Sequence, residues 1–277
     1  MCTSSARDFL IFGFIASVVI CLFFVKPCGE FYRIVLKYAN MYELKNYLLS
    51  MRSHWMVHQP TYRAVQETLP LITKYQANMG IEKLGSTPAK KICRQVFPDV
   101  YTFPLFRRQW CKLMVEEIEL MRKELAFEAN EGEDVLRQIP EIVLKTECPA
   151  LYRNMWFVVR TVINPIIVSL WQRPCKDAAT IQIANYNIVD KQQGNWHHDE
   201  SADVSVVVPL NTGSYKGGGT EFHNYGRLKP LPSGHALMFP SFTNLHRGLP
   251  VDGGDRYLLV FWLYDKNRVV HLYEGEP

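Results

Sequence analysis

Trp196-His197-His198-Asp199-Glu200 stands where the chain changes character. Around and after it, residues 181–186, 205–210, 235–239 and 257–264 are β-branched and aromatic runs. Gly/Asn/Pro clusters divide them, and no helical period appears between them. In an extended segment, residues i and i+2 project to the same face. His197 and Asp199 therefore converge on one ion, while His198 points away. With one more imidazole, such a face leaves about three of the six octahedral positions of iron(II) open to substrate, co-substrate and oxygen. The missing ligand has to come from another strand end. His246, in Asn244-Leu245-His246-Arg247-Gly248-Leu249-Pro250, is the candidate. Arg256 follows ten residues later, at the head of an apolar strand. A guanidinium there can pair bidentately with a dicarboxylate such as 2-oxoglutarate, whose other end chelates the metal.

Local spacing alone does not settle the register. His198 and Glu200 form a second His-x-acid pair, and Glu200 otherwise faces solvent or supports the ligands from behind. Two His and one Asp can also hold the zinc of a hydrolase. The chain shows no HExxH helix, however, and that reading gives Arg256 no task. His223 and His235 read as strand residues facing solvent or a pocket, and His54, His58 and His271 as surface residues. Phe239, Phe261 and Trp262 read as core, and Trp196 is a candidate flank of a substrate cleft.

Upstream, residues 97–101 (Phe-Pro-Asp-Val-Tyr) read as a short strand or its lead-in. The spacing predicts an amphipathic helix over 105–126, with Trp110, Leu113, Met114, Ile118 and Met121 on the apolar side. A second helix is predicted over 156–171, kinked or divided by Pro165. Helices ahead of antiparallel strands give an α+β class, with a sandwich or jelly roll as the core. Residues 30–52 and 61–80 also carry helical spacing and read as a stalk, closed by Gly85-Ser86-Thr87-Pro88 as a linker.

Residues 9–25 (FLIFGFIASVVICLFFV) are uncharged and bounded by Asp8 and Lys26. Their length meets the lower end of the ~17–25 residues that cross a bilayer as a helix. A cleaved signal peptide is the competitor, but no small-x-small site follows the apolar run. The reading is therefore an N-terminal transmembrane helix. Arg7 precedes it, and Lys26, Arg33, Lys37 and Lys45 follow it. Positive-inside counting thus places the C-terminal bulk in the cytosol.

The 277 residues suffice for one good-sized domain with a helical extension. Hydrophobic residues at 48% and charged residues at 21% exclude a disordered chain. The net charge of +4 is spread, with no basic block interleaved with aromatics, so nucleic acid is not an expected partner. The seven cysteines, Cys2, Cys21, Cys28, Cys93, Cys111, Cys148 and Cys175, contain no CxxC pair, which argues against structural zinc. The five after the apolar segment can form disulfides in an oxidising compartment or stay as buried thiols. No N-x-[ST] sequon occurs.

Taken together, these motifs resemble the prolyl/lysyl hydroxylase branch of the iron(II)/2-oxoglutarate dioxygenases, and within it the C-terminal catalytic domain of procollagen lysyl hydroxylases. The likeness covers roughly residues 97–265. Phe97-Pro98-Asp99-Val100-Tyr101 with Phe103-Pro104-Leu105 resembles that domain's opening strand and turn. His197-His198-Asp199 matches its HHD, and Gly217-Gly218-Gly219 with Phe222 its GGG-x-x-F turn. His246 with Gly248-Leu249-Pro250 matches its H-x-G-L-P. Arg256 falls at the family's 2-oxoglutarate arginine, and Tyr186 at its tyrosine in the 2-oxoglutarate pocket. Asn185 stands where the family usually has Arg, and one extra residue lies between Asp199 and Asn211. The family's upstream glycosyltransferase domains have no counterpart in this sequence. These departures bear on the substrate rather than on the metal.

The resemblance implies a double-stranded β-helix (jelly roll) with flanking helices, binding iron, Fe(2+), through His197, Asp199 and His246. It implies 2-oxoglutarate as co-substrate, held by Arg256 and Tyr186, and ascorbate (vitamin C) as a further cofactor. No catalytic group is needed beyond the metal centre. The implied activity is hydroxylation of a peptidyl lysine or proline, with release of succinate and CO2. The other reading is a catalytically inactive, membrane-anchored interaction protein on the same fold. The expected organisation is a tail over 1–8, an anchor over 9–25, a stalk and linker over 26–90, a dioxygenase domain over 91–265 and a tail over 266–277. The resemblance points to the lumen of the endoplasmic reticulum or Golgi, against the charge count, and the sequence does not choose between them. The expected partners are a membrane and a protein or peptide substrate, and the oligomeric state is left open.

Overall fold

The computed structural model describes residues 56–78, 86–122, 139, 141–189 and 193–265. The expected membrane helix at 9–25, the helical stretch 30–52 and the tail 266–277 lie outside the described residues. The chain divides into two compact units, Met1–Ser50 and Met51–Pro277, and every described residue belongs to the second.

Four helices of two turns or more frame this unit: α1 (Gln59–Asn78), α2 (Arg108–Met121), α3 (Pro149–Val158) and α4 (Asn164–Trp171). Helix α2 starts later than the spacing predicted. Leu105 and Phe106 both donate their N–H to the Gly234 carbonyl, each at 2.9 Å, which keeps that stretch extended until Arg107. Its Trp110, Cys111, Met114 and Ile118 are buried. The helix expected over 156–171 begins earlier, with Pro149 in the first turn of α3, where its missing N–H costs nothing. Its division falls before Pro165 and takes the form of a π turn over Val159–Ile163. Pro165 cannot donate to the preceding turn, and the widened turn absorbs the break. The whole run Pro149–Trp171 is apolar and long enough to cross a membrane by length and composition alone. With 61% of that window buried inside the fold, it serves as a core helix.

The β structure consists of β1 (Arg94–Phe97), β2 (Val100–Pro104), β3 (Glu141–Val143), β4 (Asp177–Tyr186), β5 (Val204–Pro209), β6 (Lys216–Gly217), β7 (Thr220–Phe222), β8 (Gly226–Leu228), β9 (His235–Pro240), β10 (His246–Gly248), β11 (Val251–Gly253) and β12 (Arg256–Tyr264). A seven-stranded antiparallel sheet runs in the order β1-β2-β9-β5-β12-β4-β3. The remaining strands form two smaller antiparallel ribbons, β10-β7-β8 and β11-β6. Helices flanking a jelly-roll-type β core is thus the coarse architecture. The single strand expected over 97–101 is instead a hairpin. Pro98 cannot continue a ladder, and Asp99 turns the chain at φ +56°.

The period of two along the long strands decides what each face does. From β12, Tyr257, Leu259, Phe261 and Leu263 enter the large core beneath the helices. Ile181 and Ile183 of β4 and Val206 and Val208 of β5 join them there. The alternate residues Leu258 and Val260, with Ala184 and Tyr186 of β4, form a second apolar cluster on the opposite face. Both faces are covered, which is why β12 reads as an almost unbroken apolar run. Cys93, Cys111 and Cys175 are free thiols, and burial pushes all three up to about 12.

Candidate metal centre

The site lies on the second face of the large sheet, opposite the helices. His197 and His246 are set side by side by a reciprocal backbone pair. His197 N–H donates to the His246 carbonyl and His246 N–H to the His197 carbonyl, both at 3.0 Å. Each ring then uses Nδ1 in the same way. His197 Nδ1 lies 2.8 Å from the Asn195 carbonyl, and His246 Nδ1 lies 2.9 Å from the Asn244 carbonyl. A carbonyl only accepts, so each Nδ1 carries the hydrogen and each Nε2 keeps a free lone pair. Both Nε2 atoms face the Asp199 carboxylate, at 3.4 Å for His197 and 3.7 Å for His246. The three side chains offer ligand atoms within 4.8 Å of one another, a group able to hold a metal ion. Glu200 is exposed, and His198 Nδ1 is buried away from any partner among the described residues.

Asp199 is only 4% exposed. Burial pushes its carboxyl up, but the imidazoles of His197 and His246 beside it and the Ser205 hydroxyl outweigh burial and hold it below the usual carboxylate value. Ser205 Oγ donates to Asp199 Oδ2, and Ser241 Oγ lies 2.8 Å from Ser205 Oγ. An ionised carboxylate cannot donate, so the single Ser205 hydrogen is committed to it, and Ser241 must donate to Ser205. Both serines are fully buried, so the carboxylate is backed by a directed pair of hydroxyls. Burial also drives His246 down to about 4 against the pull of Asp199, which leaves the ring neutral as a ligand requires.

These groups form one wall of a cavity of about 220 Å³. Arg256 and Tyr186 stand on another wall, paired across β12 and β4. The guanidinium lies 5.1 Å from the centre of the Tyr186 ring. Arg256 is 3% exposed, and its Nε and Nη1 are buried without a hydrogen-bond partner among the described residues. Burial pushes the Tyr186 phenol up to about 12 despite Arg256, so it stays protonated and able to donate. The glycine two residues after His246 has a steric reason. A Cβ on Gly248 would stand 2.8 Å from both Cε1 and the hydroxyl of Tyr186.

All five residues singled out from the sequence, His197, Asp199, His246, Arg256 and Tyr186, therefore line one cavity. Other expectations are corrected. Trp262 is a cavity wall rather than core, because it falls on the Leu258–Val260 side of β12. Trp196 does not line the cavity. Its ring carries the Arg247 guanidinium at 4.6 Å, and Arg247 pairs with Glu221 at 2.6 Å. Sequence reasoning passed over Ser205, Ser241 and the Gln182–Glu141 pair, whose amide donates to the carboxylate at the cavity edge. For Gln182, the alternation of β4 was the available signal.

The fold has a solved counterpart in a prolyl hydroxylase from Trichoplax adhaerens, in complex with a hypoxia inducible factor oxygen degradation domain peptide fragment. The TM-score is 0.50 at 14% identity, covering 75% of this chain and 91% of that one. In sequence, the chain is similar to human Multifunctional procollagen lysine hydroxylase and glycosyltransferase LH3, 29% identical over 180 residues, covering 61% of this chain and 24% of the relative. It is likewise similar to human Procollagen-lysine,2-oxoglutarate 5-dioxygenase 2, 28% identical over 182 residues, covering 63% and 25%. The nematode Caenorhabditis elegans supplies a procollagen lysine hydroxylase and glycosyltransferase 26% identical over 179 residues, covering 61% and 24%. The likeness drawn from the motifs is thus shown in sequence. The chain spans about a quarter of the length of these curated relatives. No protein-family model matches it.

Proposed function

We propose that this chain is an iron(II)- and 2-oxoglutarate-dependent dioxygenase acting as a hydroxylase. The observation that carries the reading is the buried guanidinium of Arg256, with Nε and Nη1 unpartnered, on the same cavity as the His197–Asp199–His246 group. Two imidazoles and one carboxylate fit iron(II), and an unpaired buried guanidinium fits a carboxylate. When bound, iron(II) with 2-oxoglutarate and oxygen supplies decarboxylation of the oxoacid to succinate and CO2 and hydroxylation of a C–H bond. His197 and His246 hold their Nε2 atoms toward the metal position through the anchored Nδ1 atoms. Asp199 gives the third ligand, steadied from behind by Ser205. Arg256 pairs with the distal carboxylate of 2-oxoglutarate, and Tyr186 donates to the same group. Leu258, Val260 and Trp262 wall the cavity with apolar surface and exclude water.

The C–H bond hydroxylated is that of a peptidyl lysine or proline, supported by procollagen lysine hydroxylases among the relatives and a prolyl hydroxylase as structural counterpart. Ascorbate serves as a further cofactor. Residues 9–25 anchor the chain in a membrane, with residues 91–265 as the catalytic part on the lumenal side of the endoplasmic reticulum or Golgi. The test is succinate formed from 2-oxoglutarate by the purified chain with iron(II), beside His246→Ala. Turnover that disappears in the variant is expected. An unsubstituted chain that neither binds iron nor releases succinate overturns the proposal.

A further inference from the structure

We infer that Tyr215 is a third holder of the distal carboxylate of the 2-oxoacid, working beside Arg256 and Tyr186; this rests on the dioxygenase reading above. Tyr215 immediately precedes β6 and the three-glycine turn. Gly218 has φ +74°, and a Cβ there would stand 2.9 Å from Tyr215 Cε2, 3.2 Å from Arg256 Cδ and 3.4 Å from Arg256 Nε. The ring and the guanidinium stem thus meet across one glycine, and any larger residue would part them. From the other side, a Cβ on Gly254 would stand 3.1 Å from Tyr215 Cα, so the residue is held in a backbone slot.

The polar atoms at this junction are all donors in want of an acceptor. Among the described residues, Tyr215 Oη is buried without a partner, as are Arg256 Nε and Nη1. Both residues line a small cavity of about 20 Å³, which shares Val207, Thr220, Arg256 and Leu258 with the larger one. A buried phenol left unsatisfied costs about 1–3 kcal/mol, and a charged donor more. One group serves both residues at once. A carboxylate is acceptor-only, with two oxygens and about four lone-pair sites. The two tyrosines then divide the work. Tyr186 lies against the guanidinium with its ring and donates from the β4 side, while Tyr215 brings its ring to the Arg256 stem across the glycine turn with a second hydroxyl to give.

Tyr215→Phe keeps the ring and removes only the hydroxyl. Calorimetry on the iron(II)-loaded chain without oxygen would compare 2-oxoglutarate with 2-oxopentanoate, which has the same carbon chain but lacks the distal carboxylate. The expected result is a Kd for 2-oxoglutarate about 10- to 100-fold higher in the variant, with 2-oxopentanoate bound as before. The unchanged acid also reports that the variant is folded. Equal losses for both acids, or no loss for 2-oxoglutarate, overturn the assignment of Tyr215 and leave the dioxygenase reading standing. An unsubstituted chain that binds neither acid overturns both.

Discussion

The two ends of the cavity are built on opposite plans. At the metal end, each imidazole Nδ1 is tied to a backbone carbonyl, and Asp199 Oδ2 receives a hydroxyl from Ser205 backed by Ser241. At the carboxylate end, Arg256 and Tyr215 bury donors that no described residue satisfies. Protein hydrogen bonds thus fix the ligand atoms of the metal end in advance, as second-layer partners do around metals in general. The carboxylate end is finished by what binds there. Ion-pair energy at that end goes into recognition rather than into holding the fold together, because a buried unpaired charge lowers stability until its partner arrives.

The sharpest way to break this contrast is Arg256→Met. Its 2-oxoglutarate affinity should fall by about 2–5 kcal/mol, the loss expected when one partner of a buried charge pair is removed. The melting temperature of the ligand-free variant should hold or rise. A large drop would mean that Arg256 supports the fold, and the contrast would fail. The second test is pH. The His246 pKa falls from 6.5 unfolded to about 4 folded, so the unfolded chain takes up a proton over that interval and the folded one does not. Stability of the metal-free chain should be full above that interval and drain away, by something on the order of 3 kcal/mol, as pH falls through it. Asp199, also held low, pulls in the same direction. The carboxylate end, built on a guanidinium, adds nothing there. Denaturant melts across the range would check this, and a flat profile would contradict it. The smallest effect is that of Ser205→Ala, which should weaken iron(II) binding about tenfold and leave 2-oxoglutarate binding to the metal-loaded chain unchanged. Metal titration of the variant reads this directly.

The contrast also explains what could be read in advance. His197, Asp199, His246 and Arg256 were legible because their spacings in combination carry chemistry that few other arrangements need, and Tyr186 was legible only through the family resemblance. The long strands β4, β5, β9 and β12 were legible because their composition repeats over six residues or more. Ribbons of two or three residues, such as β6 and β10, carry no period to detect. Ser205 sits among valines with nothing to set its hydroxyl apart until Asp199 is placed over it. Trp262 belongs to a strand apolar on both faces, and only the register with β4 and β5 shows which side it takes. Tyr215 left a trace, since it stands two positions before the glycine turn, but its tie to Arg256 exists only in three dimensions.

The unbridged cysteines reach furthest beyond the site. Cys93, Cys111 and Cys175 stay as thiols and are held far from ionisation. A thiol attacks only as thiolate, so such groups exchange slowly with glutathione or with an oxidoreductase. These three thiols are therefore slow to react as nucleophiles. They join the fold by packing, Cys111 and Cys175 within the large core and Cys93 against it, rather than by a crosslink.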